Sequence, residues 1–139
     1  MEQKGGELLE QLWEQMKMSL QKCERCDLCR TRTQAVWGVG NPQTRVLLVG
    51  EAPGKNEDEQ GEPFVGRSGQ LLDKMLAVVD LDRKRNIYIT NIVKCRPPEN
   101  RDPAPEEVAA CLGYLREQTR ILEPRIIVCL GRISATRII

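Results

Sequence analysis

The sequence predicts an α/β sandwich with a central parallel sheet, and three observations point to it. Short apolar runs, two of them closed by glycine, recur at Arg45–Gly50 (RVLLVG), Asn86–Thr90 (NIYIT) and Arg125–Gly131 (RIIVCLG). Such runs are apolar at nearly every position, as in strands covered on both faces. Amphipathic segments of helical length separate them. The resulting order of strand, helix, strand, helix, strand, helix is that of a parallel sheet between helices.

Residues Glu7 to Lys22 form the first predicted helix. Leu8, Leu12, Met16 and Leu20 recur every four residues beside Leu9 and Trp13, and Glu7, Glu10, Glu14 and Lys17 occupy the opposite face. After the first strand, Glu51 to Arg67 reads as a long loop punctuated by Gly and Pro. Ser68 then caps a helix running to about Asp80, with Leu71, Leu72, Met75, Leu76 and Val79 on one face. The second strand leads to a rigid Pro97–Pro105 loop. There Asp102 and Pro103 supply a cap and first turn, and Glu106 and Glu107 suit the positive end of the helix dipole. Val108, Cys111, Leu112, Leu115, Thr119 and Leu122 line that helix until Pro124 stops it. Arg132 to Ile139 begin another helix. In folds of this order the site lies beyond the carboxyl ends of the strands, which brings Glu51, Asn91 and the residues after Gly131 to one crevice.

The chain of 139 residues carries a formal charge of +1, so overall charge does not announce a nucleic-acid partner. Its distribution is more telling. Arg83, Lys84, Arg85, Lys94, Arg96 and Arg101 cluster against Glu99 alone, and Lys22, Arg25, Arg30 and Arg32 surround the first cysteines. Patches of this kind hold phosphate backbones, although scattered surface charge reads the same way. No apolar run is long enough to span a membrane, and Glu7, Glu10 and Glu14 interrupt any signal-peptide core. A cytoplasmic monomer is expected.

Six cysteines without a signal peptide point to metal or cluster ligation, or to buried thiols, rather than to a disulfide framework. The chain has no histidine, so its chemistry falls to carboxylates, amides, backbone groups and thiolates. Cys23 and Cys26 form a C-x-x-C pair that Cys29 continues. Cys95 follows the second strand, Cys111 lies on the next helix, and Cys129 sits within a strand read as buried, where a core thiol is expected. Four thiolates can meet if the N-terminal loop folds over the loop after the second strand, as an iron–sulfur cluster requires. Spacing leaves Cys29 and Cys111 as alternatives for the fourth, the two alanines before Cys111 allowing close approach. A four-cysteine zinc site is the competing reading.

The stretch Gly50 to Gly69, GEAPGKNEDEQGEPFVGRSG, matches neither a Walker A loop nor a dinucleotide fingerprint. It holds Phe64, the chain's one phenylalanine. That ring is either a plug for the core or, beside a base-binding crevice, a stacking surface for an everted base.

GEAPGKNEDEQGEPFVGRSGQLLDKML, YITNIVKCRPPENRDPAPEE, AACLGYL and IIVCLGR, in that order, resemble the family 4 uracil-DNA glycosylases from about Lys22 to about Arg137. The resemblance implies a uracil-DNA glycosylase-like three-layer sandwich and a [4Fe–4S] cluster on Cys23, Cys26, Cys95 and Cys111, leaving Cys29 and Cys129 free. It implies hydrolysis of the N-glycosidic bond of deoxyuridine in uracil-containing DNA, a step of base excision repair. Phe64 matches the uracil-stacking aromatic and Asn91 the asparagine that reads the uracil edge. Backbone amides near Glu51 and Ala52 are candidates for the uracil oxygens. Glu51 is a candidate for positioning the attacking water and Glu57 is a second candidate carboxylate, whereas Asp58 and Glu59 are expected to be solvated.

Members of that family continue with a further strand and a His-Pro-Ser-type motif with a DNA-wedging loop. The expectation for residues 1–139 is therefore a single domain incomplete at its C-terminus, its last strand missing and its catalysis weak or absent. The alternative function is a non-catalytic iron–sulfur module that binds nucleic acid.

Overall fold

The computed structural model describes residues 2–139, with side-chain environments from Gly6 onward. Among the described residues, besides two short 3-10 helices (Asp27–Arg30 and Pro98–Asn100), nine α-helices and β-strands follow in order: α1 (Glu2–Gln21), β1 (Val39–Gly40), β2 (Val46–Gly50), α2 (Lys55–Gln60), α3 (Arg67–Val78), β3 (Tyr88–Asn91), α4 (Pro105–Leu122), β4 (Ile126–Cys129) and α5 (Arg132–Ile138). The strands form one sheet in the order β1-β3-β2-β4. The three apolar runs predicted as strands are β2, β3 and β4, and β2 pairs in parallel with both others. The sheet is mixed, however, because β1 joins β3 antiparallel through Val39↔Ile89 and Gly40↔Tyr88. Two residues are too few to carry a period, so no sequence pattern announces this edge.

Alternation along the central strands assigns the layers. Leu47 and Val49 of β2, with Tyr88 of β3, join a core built with Trp13 and Leu20 of α1 and Val108, Tyr114, Leu115 and Leu122 of α4. Leu48 and Ile89 face the other way and pack with Leu76 of α3 and Ile87. The first core is anchored by aromatic edges: Trp13 meets Trp37 at 5.0 Å and Tyr88 at 5.2 Å between centroids, both T-shaped. Covering both faces of the central strands is what the continuous apolar runs required.

Several boundaries move. The polar segment KNEDEQ, read as loop, is the helix α2. It has no apolar period because only Asp58 in it is buried. Gly66, not Ser68, caps α3. Leu71, Met75 and Val79, assigned to its packed face, are exposed, and Leu72 and Leu76 make its contacts. β4 pairs only with β2 at the sheet edge, and Ile126, Ile127 and Val128 are 55%, 39% and 40% exposed. The expectation of a buried third strand therefore fails, and Cys129 is half-buried rather than a core thiol. Apolar composition reports which side chains favour burial, whereas the partners on either side of a strand decide whether burial occurs.

Pro105 opens α4, two residues beyond the expected Pro103, and Ala104 is its N-cap. The cap is supplied from within the helix. Glu107 Oε1 accepts the Ala104 amide at 2.8 Å, and both carboxylate oxygens accept from Arg101 at 2.9 and 2.8 Å. The Arg101 guanidinium is the main reason the buried Glu107 carboxyl sits below its ordinary range. Its stabilisation is therefore complete at neutral pH and is lost as pH falls through that lowered value. Glu107→Ala is expected to cost about 1 kcal/mol through the lost cap alone. Urea unfolding at neutral and at acid pH checks this, because the variant's deficit must shrink on the acid side.

Candidate site at the strand ends and a four-thiol pocket

The parallel pairing of β2 with β3 sets Gly50 directly opposite Asn91 at the carboxyl ends of both strands. Asn91 is 2% exposed, and its Oδ1 is buried without any hydrogen-bond partner. Such an orphan acceptor costs about 1–3 kcal/mol, so it calls for an explanation. The Phe64 ring lies beside it. A Cβ on Gly50 would fall 2.5 Å from both Asn91 Oδ1 and Phe64 Cζ. Only glycine lets the strand end, the amide and the ring share this space. Phe64 and Asn91 thus face one another across Gly50.

The loop carrying Phe64 is tightly held. Phe64 has φ of 55°, a conformation that costs a bulky residue about 1–3 kcal/mol and persists only where its surroundings enforce it. Gly69, at the start of α3, is one enforcer, because a Cβ there would stand 1.8 Å from the Phe64 carbonyl oxygen. Glu57 is another. Its Oε1 accepts the Gly54 amide at 3.0 Å, and its Oε2 accepts the amides of Val65 and Gly66 at 2.9 and 3.0 Å. Both oxygens of this candidate catalytic carboxylate are engaged in folding the loop. Asp58, expected to be solvated, is 3% exposed and accepts the amides of Thr33 and Gln34, joining the loop to the segment after the first cysteines.

Glu51 and Ala52, both half-buried, follow Gly50. The Glu51 carbonyl accepts the Val93 amide at 3.0 Å, extending the β2–β3 pairing into the loops. Its carboxyl is held above the ordinary carboxylate range, first by burial and then by the neighbouring Asp102 carboxylate, with Arg132 acting in the opposite sense. Arg132 also approaches Asp102 at 3.6 Å. Glu51, Asp102 and Arg132 therefore neighbour one another beyond the carboxyl end of β2. In the sequence Asp102 reads only as a helix cap. The available signal was its place in the loop beyond β3, on the side where strand order puts the site.

Cys23, Cys26, Cys95 and Cys111 line one small pocket, together with Leu20, Arg25, Arg32, Val93 and Ala110, whereas Cys29 and Cys129 do not. Three donors converge on the sulfurs: Arg32 Nη1 on Cys95 at 3.2 Å, the Lys94 amide on Cys111 at 3.2 Å and the Arg25 amide on Cys23 at 3.5 Å. Burial pushes the Cys95 thiol up to about 11 and raises those of Cys26 and Cys111. Four soft donors, the apolar Leu20, Val93 and Ala110 beside two arginines, and N–H groups directed at sulfur suit a thiolate-bound cluster. Among the described residues, no three His, Cys, Asp or Glu side chains group as they would around one metal ion.

The basic segment is not the open patch that charge counting suggests. Lys94 is fully buried and Arg83 is 9% exposed. Arg85 pairs with Asp80, Arg96 donates to Asn100, and Arg101 pairs with Glu107. Near the cysteines, Arg25 lies 4.5 Å over the Tyr114 ring and Arg32 serves Cys95.

Comparison with known proteins sets these features in a family. The profile of the uracil DNA glycosylase superfamily matches residues 37–138. The chain is 53% identical over 116 residues to a type-4 uracil-DNA glycosylase of Archaeoglobus fulgidus, covering 84% of this chain and 58% of that one. It is 52% identical to the type-4 enzyme of Pyrobaculum aerophilum, over 84% of this chain and 59% of the other. To that of Thermotoga maritima it is 48% identical, over 88% and 63%. The chain thus spans a little over half the length of these relatives. No described helix is long and apolar enough to cross a membrane.

Proposed function

Since the chain belongs to the uracil DNA glycosylase superfamily, we propose that it carries the uracil-recognising part of an enzyme that hydrolyses the N-glycosidic bond of deoxyuridine in DNA. The observation that carries this reading is the buried, unpartnered Oδ1 of Asn91 beside the Phe64 ring at the ends of β2 and β3. An orphan acceptor next to an aromatic face suits a flat ligand that brings its own N–H.

A uracil turned out of the DNA stack presents a π-face and an edge of alternating acceptors and donors. Phe64 stacks on the face. Asn91 accepts from N3–H and donates to O4; cytosine offers the reverse pattern at these positions and is refused. The backbone amide of Ala52 serves a uracil oxygen. As the bond from C1′ to N1 breaks, its electron pair leaves with the base and positive charge grows on the sugar. Glu51 orients the water whose oxygen bonds to C1′, takes up the proton released, and offsets the charge on the sugar. Glu57 keeps the Phe64 loop folded, since its oxygens already accept three amides.

Cys23, Cys26, Cys95 and Cys111, which line one pocket, would hold a [4Fe–4S] cluster. The contribution of that cluster when bound would be a cross-link between the segment after α1, the loop after β3 and the first turns of α4.

Release of uracil from a uracil-containing oligonucleotide by this chain tests the function. Turnover that survives Phe64→Ala and Asn91→Ala unchanged overturns the assignment of these residues. The cluster predicts a brown protein with about four iron and four sulfide per chain, both lost in Cys95→Ser. A colourless, zinc-loaded protein would sink that reading.

A further inference from the structure

Arg83 lies in the turn before β3, and its side chain is 10% exposed. Counted in the sequence as one cation of a phosphate-binding patch, it faces inward, and its three kinds of nitrogen are all engaged. Nε donates to Asp73 Oδ1 at 3.0 Å, Nη1 to the Pro63 carbonyl at 2.8 Å and Nη2 to the Phe64 carbonyl at 2.6 Å. Asp73 belongs to α3, so the guanidinium ties that helix to two successive carbonyls of the loop. The Phe64 carbonyl is confined on another side by Gly69, and the amides of Val65 and Gly66 are held by Glu57. The peptide groups on both sides of a residue with φ of 55° are thus fastened. A backbone so fixed leaves the ring only its side-chain torsions, and Gly50 and Asn91 bound the space they can reach.

We propose that Arg83 is a positioning residue which, tethered by Asp73, clamps the Pro63 and Phe64 carbonyls and so presents the Phe64 ring to the base-binding crevice. The inference rests on the uracil-stacking reading of Phe64 and adds the device that sets the ring before a base arrives. Planarity and multiple donors matter here. A lysine retains the charge, but its three donors radiate from a single nitrogen and do not reproduce the planar spread of the guanidinium across two successive carbonyls and a carboxylate.

Phe64 is the chain's one phenylalanine, so [13C]phenylalanine labelling gives ring signals from this residue alone. In the wild-type chain the ring signal is expected away from the position of free phenylalanine and to move on titration with uracil. In Arg83→Gln and Arg83→Lys it is expected near the free position and insensitive to uracil. Asp73→Ala, which removes only the tether, gives an intermediate displacement and carries the test should the Arg83 variants fail to fold, as circular dichroism will tell. Uracil release is expected to fall about 10–100-fold in Arg83→Gln and less than about 2-fold when the same change is made in the Phe64→Ala background, where no ring remains to position. A ring signal unmoved by the Arg83 and Asp73 substitutions overturns the proposal, as does an equal loss of rate in both backgrounds. A wild-type ring signal indifferent to uracil overturns the stacking reading instead, and the clamp then stands or falls on the ring signals of the variants.

Discussion

Asn91→Ala is expected to lower uracil release by about 10²–10³-fold while leaving the chain as stable as wild type or more stable. The two effects have one cause. Asn91 is 2% exposed, and its Oδ1 receives no hydrogen bond within the protein. Folding therefore desolvates this acceptor without return, at a cost of about 1–3 kcal/mol. Truncation removes that cost, and the small cavity it leaves offsets part of the gain. A bound uracil supplies the missing donor from N3–H, so the same truncation strips the site of its edge-reading group. Single-turnover uracil release and thermal unfolding, measured on the same preparation, separate the two consequences. A variant that melts well below wild type, with activity lost in proportion, would make Asn91 an ordinary structural amide.

Removing the buried amine next to the cysteines should produce the largest loss of stability. Lys94 is 0% exposed, and its Nζ donates to Thr90 Oγ1, the Asn91 carbonyl and Gln118 Oε1, each at 2.6 Å. Thr90 Oγ1 and Gln118 Nε2 both donate in turn to the Trp37 carbonyl, at 2.9 and 2.8 Å. One amine thereby joins the end of β3, the C-terminal third of α4 and, through Thr90 and Gln118, the segment before β1. Burial pushes its pKa down to about 7, with the Cys111 and Cys95 thiols pulling it back up. Lys94→Ala is expected to cost about 3–5 kcal/mol, because it opens a cavity and orphans buried acceptors together. Lys94→Met keeps most of the volume, and its cost should be nearer 1–3 kcal/mol. Urea unfolding of the two variants gives the numbers. A loss below about 1 kcal/mol for the alanine variant would mean that the network is replaced by water and that the amine is dispensable.

This lysine and Arg83 also explain why charge counting misreads the segment before and after β3. A positive residue in sequence carries no mark of its surroundings. Lys94 and Arg83 are held inside by carbonyls, an amide, a hydroxyl and one carboxylate. Buried cations survive only with such partners, and the partners come from distant parts of the chain. For Lys94, Gln118 lies 24 residues away. For Arg83, Phe64 lies 19 residues away. Glu57 and Asp58 teach the same lesson with the opposite sign. An acidic run looks solvated, yet both carboxylates end on backbone amides that a tight loop would otherwise strand.

Local pattern alone determined the alternation of strands and helices, the three runs that became β2, β3 and β4, and the strand-end position of Glu51 and Asn91. Each of these follows from hydrophobic period, from glycine and proline punctuation and from the chirality of parallel α/β units, all of which are legible over a few residues. The C-x-x-C pair likewise signals ligation by its spacing. Only the tertiary structure decided that Cys95 and Cys111 share a pocket with that pair, that Phe64 and Asn91 meet across Gly50, and that Asp102 and Arg132 stand beside Glu51. It also decided that β4 has a single neighbour and keeps its apolar side chains exposed. Those outcomes depend on which surfaces pack together. Burial and hydrogen-bond satisfaction are properties of an assembled neighbourhood, and a stretch of sequence contains only its own half of each contact.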